Sequence, residues 1–77
     1  MNICVSNVSP ATSLSDLRGC FEIYGEVTRA TISTYKVEGK PRRMGTIQMP
    51  FNHHGLAAVA ALHGRELDGA MITVREE

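Results

Sequence analysis

The chain has 77 residues, 43% hydrophobic and 21% charged, with eight basic and eight acidic side chains for a formal net charge of zero. That is enough for one small domain, taken as residues 1–77, and no apolar run approaches the ~20 residues of a membrane span. Neutrality removes the simplest argument for a nucleic-acid ligand, a strongly basic domain.

The start of the chain has no basic segment followed by an apolar one, so a secretory leader is not expected and a cytoplasmic location is. Cys4 and Cys20 are too few and too dispersed for a disulfide scaffold or a zinc site, which makes reduced thiols the expectation.

Ile3 and Val5 alternate with Cys4 and Ser6, the period of a half-buried strand, and Asn7 through Thr12 reads as a loop around Pro10. Ser13 followed by Asp16 matches a helix cap, with Thr12 as an alternative. Leu14, Leu17, Phe21 and Tyr24 then recur at helical spacing, Cys20 lies beside that stripe, and Gly25 supplies the stop. Val27 to Thr34 is rich in β-branched residues, with Ala30 and Ile32 on one face and Arg29, Thr31 and Ser33 on the other. Tyr35 to Pro41 has the composition of a flexible connection.

A third strand follows over Arg42 to Met49, with Gly45, Ile47 and Met49 on one face and Arg42, Met44, Thr46 and Gln48 on the other. Asn52 is placed to cap a second helix running to about His63, with Ala58, Val59 and Leu62 inward and Gly64 ending it. An Arg65–Gly69 turn leads to a last strand, Met71 to Arg75, with Ile72 and Val74 inward. The order β-α-β-β-α-β is the split βαβ plan: an α+β, ferredoxin-like fold with a four-stranded antiparallel sheet and two helices on one face.

Charge is unevenly distributed. Lys36, Lys40, Arg42 and Arg43 fall within eight residues and only Glu38 opposes them, so a locally basic patch able to attract phosphates sits on a neutral chain. A solubilising loop is the plainer reading of that window.

The chain resembles the RNA-recognition-motif (RRM) family over nearly its whole length. The resemblance rests on Ile3-x-Val5-x-Asn7, Leu17-x-x-x-Phe21-x-x-Tyr24-Gly25-x-Val27, Ala58-Val59-x-x-Leu62-x-Gly64, and Glu66-Leu67-Asp68-Gly69 followed by Ile72-x-Val74, all in order and at the expected spacing. In that family the two central strands present aromatic rings on which the bases of single-stranded RNA stack. The positions that correspond here hold Cys4, Met44 and Thr46, none of them aromatic. Each lost stack is worth about 1–3 kcal/mol, so the resemblance implies weak, salt-sensitive RNA binding that relies on charge.

The residues assigned to phosphate are Arg42, Arg43, Lys36, Lys40 and Arg29, and those assigned to bases are Cys4, Met44, Thr46, Gln48, Tyr35 and Arg75. Ser6, Thr31, Ser33, Met71 and Thr73 complete the expected open face. Many family members add a basic or aromatic extension that closes over RNA; the chain ends on acidic Arg75-Glu76-Glu77 and is expected to act without one.

A different class of function competes. From Asn52 to Gly64 there is no Asp, Glu, Lys or Arg, and the outer positions of the second helix include Leu56, Ala57, Ala60 and Ala61. An apolar outer face fits a protein partner or a homodimer, or an alanine-rich helix that tolerates exposure. Enzyme readings find little. His53 and His54 are adjacent and diverge, the carboxylates form no evident pair, and Cys4 has no histidine expected beside it. The phosphate-cradling glycine loop and the CxxC pair of other ferredoxin-like proteins are also missing. No catalysis, metal, cofactor, small-molecule substrate or membrane contact is expected.

Overall fold

The computed structural model describes residues 1–77. Along the chain run β1 (Asn2–Ser6), α1 (Leu14–Glu22), β2 (Arg29–Val37), β3 (Lys40–Gln48), α2 (Asn52–Leu62), β4 (Glu66–Leu67), β5 (Ala70–Met71) and β6 (Thr73–Glu76). The main sheet is antiparallel in the order β2-β3-β1-β6, with both helices against one face, and β4 and β5 form a separate two-stranded ribbon. No helix is long and apolar enough to cross a membrane.

Helix α1 begins as its sequence demands: Ser13 Oγ accepts a hydrogen bond from the Asp16 backbone N–H at 3.0 Å. Its Leu17 and Phe21 are fully buried, while Leu14, the first residue of the same stripe, is 44% exposed at the helix start. Gly45 on β3 sets how closely this helix approaches. A Cβ there would lie 2.5 Å from Leu17 Cδ2, so helix side chain packs directly on strand backbone. Ile3, Val5, Ile47, Met49, Ala58, Ile72 and Val74 complete the centre of the core.

Three local expectations need correction. The Tyr35–Pro41 segment is not a flexible connection. β2 and β3 pair without interruption from Arg29↔Gln48 to Val37↔Lys40, and the turn is only Glu38-Gly39, both at positive φ. Two residues of positive φ match the twist of the flanking strands, which is why so short a loop works. Helix α2 is capped by Phe51, not Asn52: the Phe51 carbonyl accepts from His54 and Gly55 N–H, each at 3.1 Å, and no side chain caps the helix. The Arg65–Gly69 turn is the β4–β5 hairpin, closed by Asp68-Gly69 at positive φ. Met71 therefore lies in β5, outside the main sheet, and leaves the expected open face.

Between that hairpin and β6, Ile72 is tied to the exit of α2 by Gly64 N–H to Ile72 carbonyl and Ile72 N–H to Arg65 carbonyl bonds, each 2.9 Å. His63 Nδ1 accepts from the Val74 N–H at 3.1 Å, so this histidine anchors a helix end to a strand.

Candidate nucleic-acid interface

Strand register arranges the helix-free face of the sheet in rows. The first row runs Arg29, Gln48, Asn2, and the second Thr31, Thr46, Cys4, Arg75. The third runs Ser33, Met44, Ser6, Thr73. Beyond the end of β1 only β2 and β3 continue, giving Tyr35 opposite Arg42 and then Val37 opposite Lys40. Because side chains alternate along a strand, the residues of these rows share one surface.

Cys4, Met44 and Thr46, the three places where the family resemblance calls for rings, adjoin one another in the second and third rows. Cys4 is only 7% exposed and Met44 and Thr46 are half-buried, so the middle of the face is a floor of non-aromatic side chains. At one corner lies a wholly polar hollow of about 280 Å³, lined by Asn2, Arg29, Thr31, Thr46, Gln48 and Glu77. Thr28 Oγ lies 3.4 Å from Gln48 Oε1 and orients that side chain, leaving its amide N–H groups to face solvent.

At the opposite end, the paired strands from Tyr35↔Arg42 outward form an arm free of β1; the last bond across to the β1 side is Val8 N–H to the Arg43 carbonyl at 3.2 Å. Three residue pairs project, roughly 10 Å. Tyr35 is 43% exposed on the arm, with Arg42 as its cross-strand neighbour. The one ion pair in the structure joins Arg18 and Glu22, so Arg29, Lys40, Arg42 and Arg75 are exposed and make no ion pair, with Glu77 sharing the corner hollow with Arg29.

The basic cluster therefore divides between two faces. Arg42 and Lys40 share the open face with Tyr35 and Arg29, whereas Lys36 and Arg43 stand on the helix side. Arg43 is further committed: its guanidinium donates to the Ser9 carbonyl and, at 2.8 Å, to the Thr12 carbonyl, pinning the β1–α1 loop. Thr12 in turn donates from Oγ to Asp68 at 2.7 Å. Of the residues expected to meet phosphate, the open face carries Arg29, Lys40 and Arg42, and the helix side carries Lys36 and Arg43.

Asn2 and Val37 belong to this face and were absent from the sequence-based set. Carrying the alternation of β1 one residue earlier, and that of β2 through to Val37, would have found both.

Burial, then the carboxylates of Asp16 and Asp68, push Cys20 above the ordinary cysteine range, and no group of three or more His, Cys, Asp or Glu side chains is arranged to hold a metal.

Sheet order, rows and helix placement together define an RRM-type domain. The chain belongs to the RNA recognition motif family, whose model matches residues 3–73.

Among curated relatives, a putative RNA-binding protein, RbpE of Nostoc sp., is 34% identical over 76 residues, covering 99% of this chain and 77% of its own length. RbpA of Synechocystis sp., also a putative RNA-binding protein, is 33% identical over 76 residues, covering 99% and 75%. The crystal structure of the RNA-binding protein PG1 superposes with a TM-score of 0.87 at 31% identity, covering 100% of this chain and 93% of that one.

Proposed function

We propose that the protein binds single-stranded RNA weakly and in a salt-sensitive way, with the stacking contact moved off the centre of the sheet onto the β2–β3 arm. One observation carries this reading: Tyr35, the only aromatic residue of the open face, stands cross-strand from unneutralised Arg42. A base stacked on the ring would have its phosphate within reach of Arg42 or Lys40, since aromatic stacking and cationic backbone contacts are the two ingredients of single-strand binding. At the far corner, Arg29, Gln48 and Asn2 offer donors and acceptors to a second nucleotide, and Arg75 flanks the floor between them. Membership of the family and the printed names of the relatives favour RNA as the ligand.

The test is fluorescence anisotropy with a labelled oligouridine tetranucleotide. Tyr35→Ala should weaken binding about tenfold, within the range for losing one stacked base. Lys40→Glu with Arg42→Glu should remove binding while the amide spectrum stays folded. Unchanged affinity in both variants would refute the arm as the site.

A second reading has its own observation. Phe51 is 50% and Leu56 56% exposed, Ala57 and Ala60 are also exposed, and α2 carries no charged side chain between them, while Ala61 is half-buried. This face suits a protein partner or a second copy. Sedimentation over a concentration series tests self-association, with Leu56→Glu expected to abolish it.

A further inference from the structure

Behind the arm, on the helix side of the sheet, lies a second hollow of about 320 Å³. Val8, Pro10, Pro41 and Ala70 give it aliphatic walls, and Asn7 and Thr34 add polar groups. Arg42 is among its lining residues, so one residue borders both this hollow and the open-face row containing Tyr35. We infer that this hollow is a second nucleotide subsite: an RNA strand bound at Tyr35 passes round the root of the β2–β3 arm at Arg42, seats its next base behind the arm, and is held there by Lys36. The inference rests on the RNA-binding reading proposed above and extends it from a one-faced to a two-faced site.

Four features lead to it. Its exposed surface is mostly apolar although five of its nine lining residues are polar or charged, whereas the corner hollow on the open face has no hydrophobic residue in its lining. The aliphatic rings of Pro10 and Pro41 offer C–H surface against which the face of a planar base can pack.

The polar groups have capacity to spare. Asn7 holds positive φ and spends its amide N–H on the Met71 carbonyl at 2.9 Å, which fixes the side chain and leaves its oxygen to accept a bond.

The site is also built to last. Arg43 forms part of its wall and pins Ser9 and Thr12 through their carbonyls, so the β1–α1 loop is held open beside the arm and does not collapse into it. Lys36, finally, is cross-strand from Pro41 and stands on the same face as Thr34 and Arg43. A strand confined to the open face gives Lys36 nothing to do; a strand that turns behind the arm meets it directly.

The experiment compares a uridine tetranucleotide, long enough for the open face, with a uridine decanucleotide, long enough to turn the corner, by anisotropy at one salt concentration. Wild type should bind the longer strand more tightly than its extra length explains statistically. Ala70→Glu, which places a negative side chain in the hollow, and Lys36→Glu, a change at an exposed position, should each weaken the decanucleotide about tenfold and leave the tetranucleotide within twofold.

If both variants bind the decanucleotide like wild type, or if Lys36→Glu weakens both strands equally, the subsite is overturned while open-face binding stands. Absence of wild-type binding to either strand overturns the RNA reading itself, and this inference with it.

Discussion

Arg42 and Arg43 are neighbours in sequence and opposites in the structure, and exchanging each for methionine separates the two roles. Methionine keeps much of the aliphatic stem and deletes the guanidinium. In Arg43→Met two hydrogen bonds to backbone carbonyls of Ser9 and Thr12 disappear. A hydrogen bond to a charged group contributes about 1.5–3 kcal/mol, and the half-exposed setting of Arg43 calls for the low end with partial replacement by water, so the pair is worth about 2 kcal/mol. With a urea m-value of about 1 kcal/mol/M for a chain this small, the unfolding midpoint should fall by about 2 M.

Arg42→Met removes no hydrogen bond or ion pair within the protein, so its midpoint should move by less than about 0.5 kcal/mol equivalent. The uridine tetranucleotide should show the reverse ranking, with Arg42→Met binding about tenfold more weakly and Arg43→Met nearly as wild type. Equal stability losses in the two variants, or an affinity loss greater for Arg43→Met, would refute the division of the cluster between faces.

Other outcomes follow from the same geometry. Placing rings where the family stacks bases, Met44→Phe with Thr46→Phe, should raise single-strand affinity by at least tenfold, since each stacked base is worth about 1–3 kcal/mol; titration by anisotropy reads it. With Arg29, Lys40, Arg42 and Arg75 as the available cations, log affinity against log salt should fall with a slope of roughly −2 to −3. Gly45→Ala should lower stability by about 1–3 kcal/mol in a denaturant melt, because its Cβ meets Leu17 Cδ2 at 2.5 Å. Cys20 should react with iodoacetamide more slowly than a free cysteine at mildly alkaline pH, since burial and then Asp16 and Asp68 raise its pKa and reduce the thiolate present.

Periodicity alone located the core of this fold. Ile3 and Val5, Leu17 and Phe21, Ile47, Ala58 and Val74 lie where their spacing put them, because burial on one face leaves a direct mark on residue type. The β2–β3 arm left a contrary mark. Gly39, Pro41 and a run of charges look like a loop, yet Pro41 lies past the end of β1, where no neighbouring strand needs its missing N–H. The two-residue turn also places Glu38 at positive φ, which glutamate rarely adopts and no sequence pattern announces.

Arg43 shows a different difficulty. Alternation along β3 groups it with Gly45 and Ile47 on the helix side, but closeness in sequence to Arg42, Lys40 and Lys36 kept it off both faces and in one cluster with them. What holds Arg43 is a pair of main-chain carbonyls 31 and 34 residues away, and such partners leave no trace in composition.

The most direct test of the account is a two-dimensional amide NMR titration of the whole chain with the uridine tetranucleotide at low and moderate salt. Shifts should concentrate at residues 29–35, 40–48 and 2–6 and weaken as salt rises, with Tyr35 and Arg42 among the largest. Shifts confined to residues 51–61, or none at low salt, would contradict it.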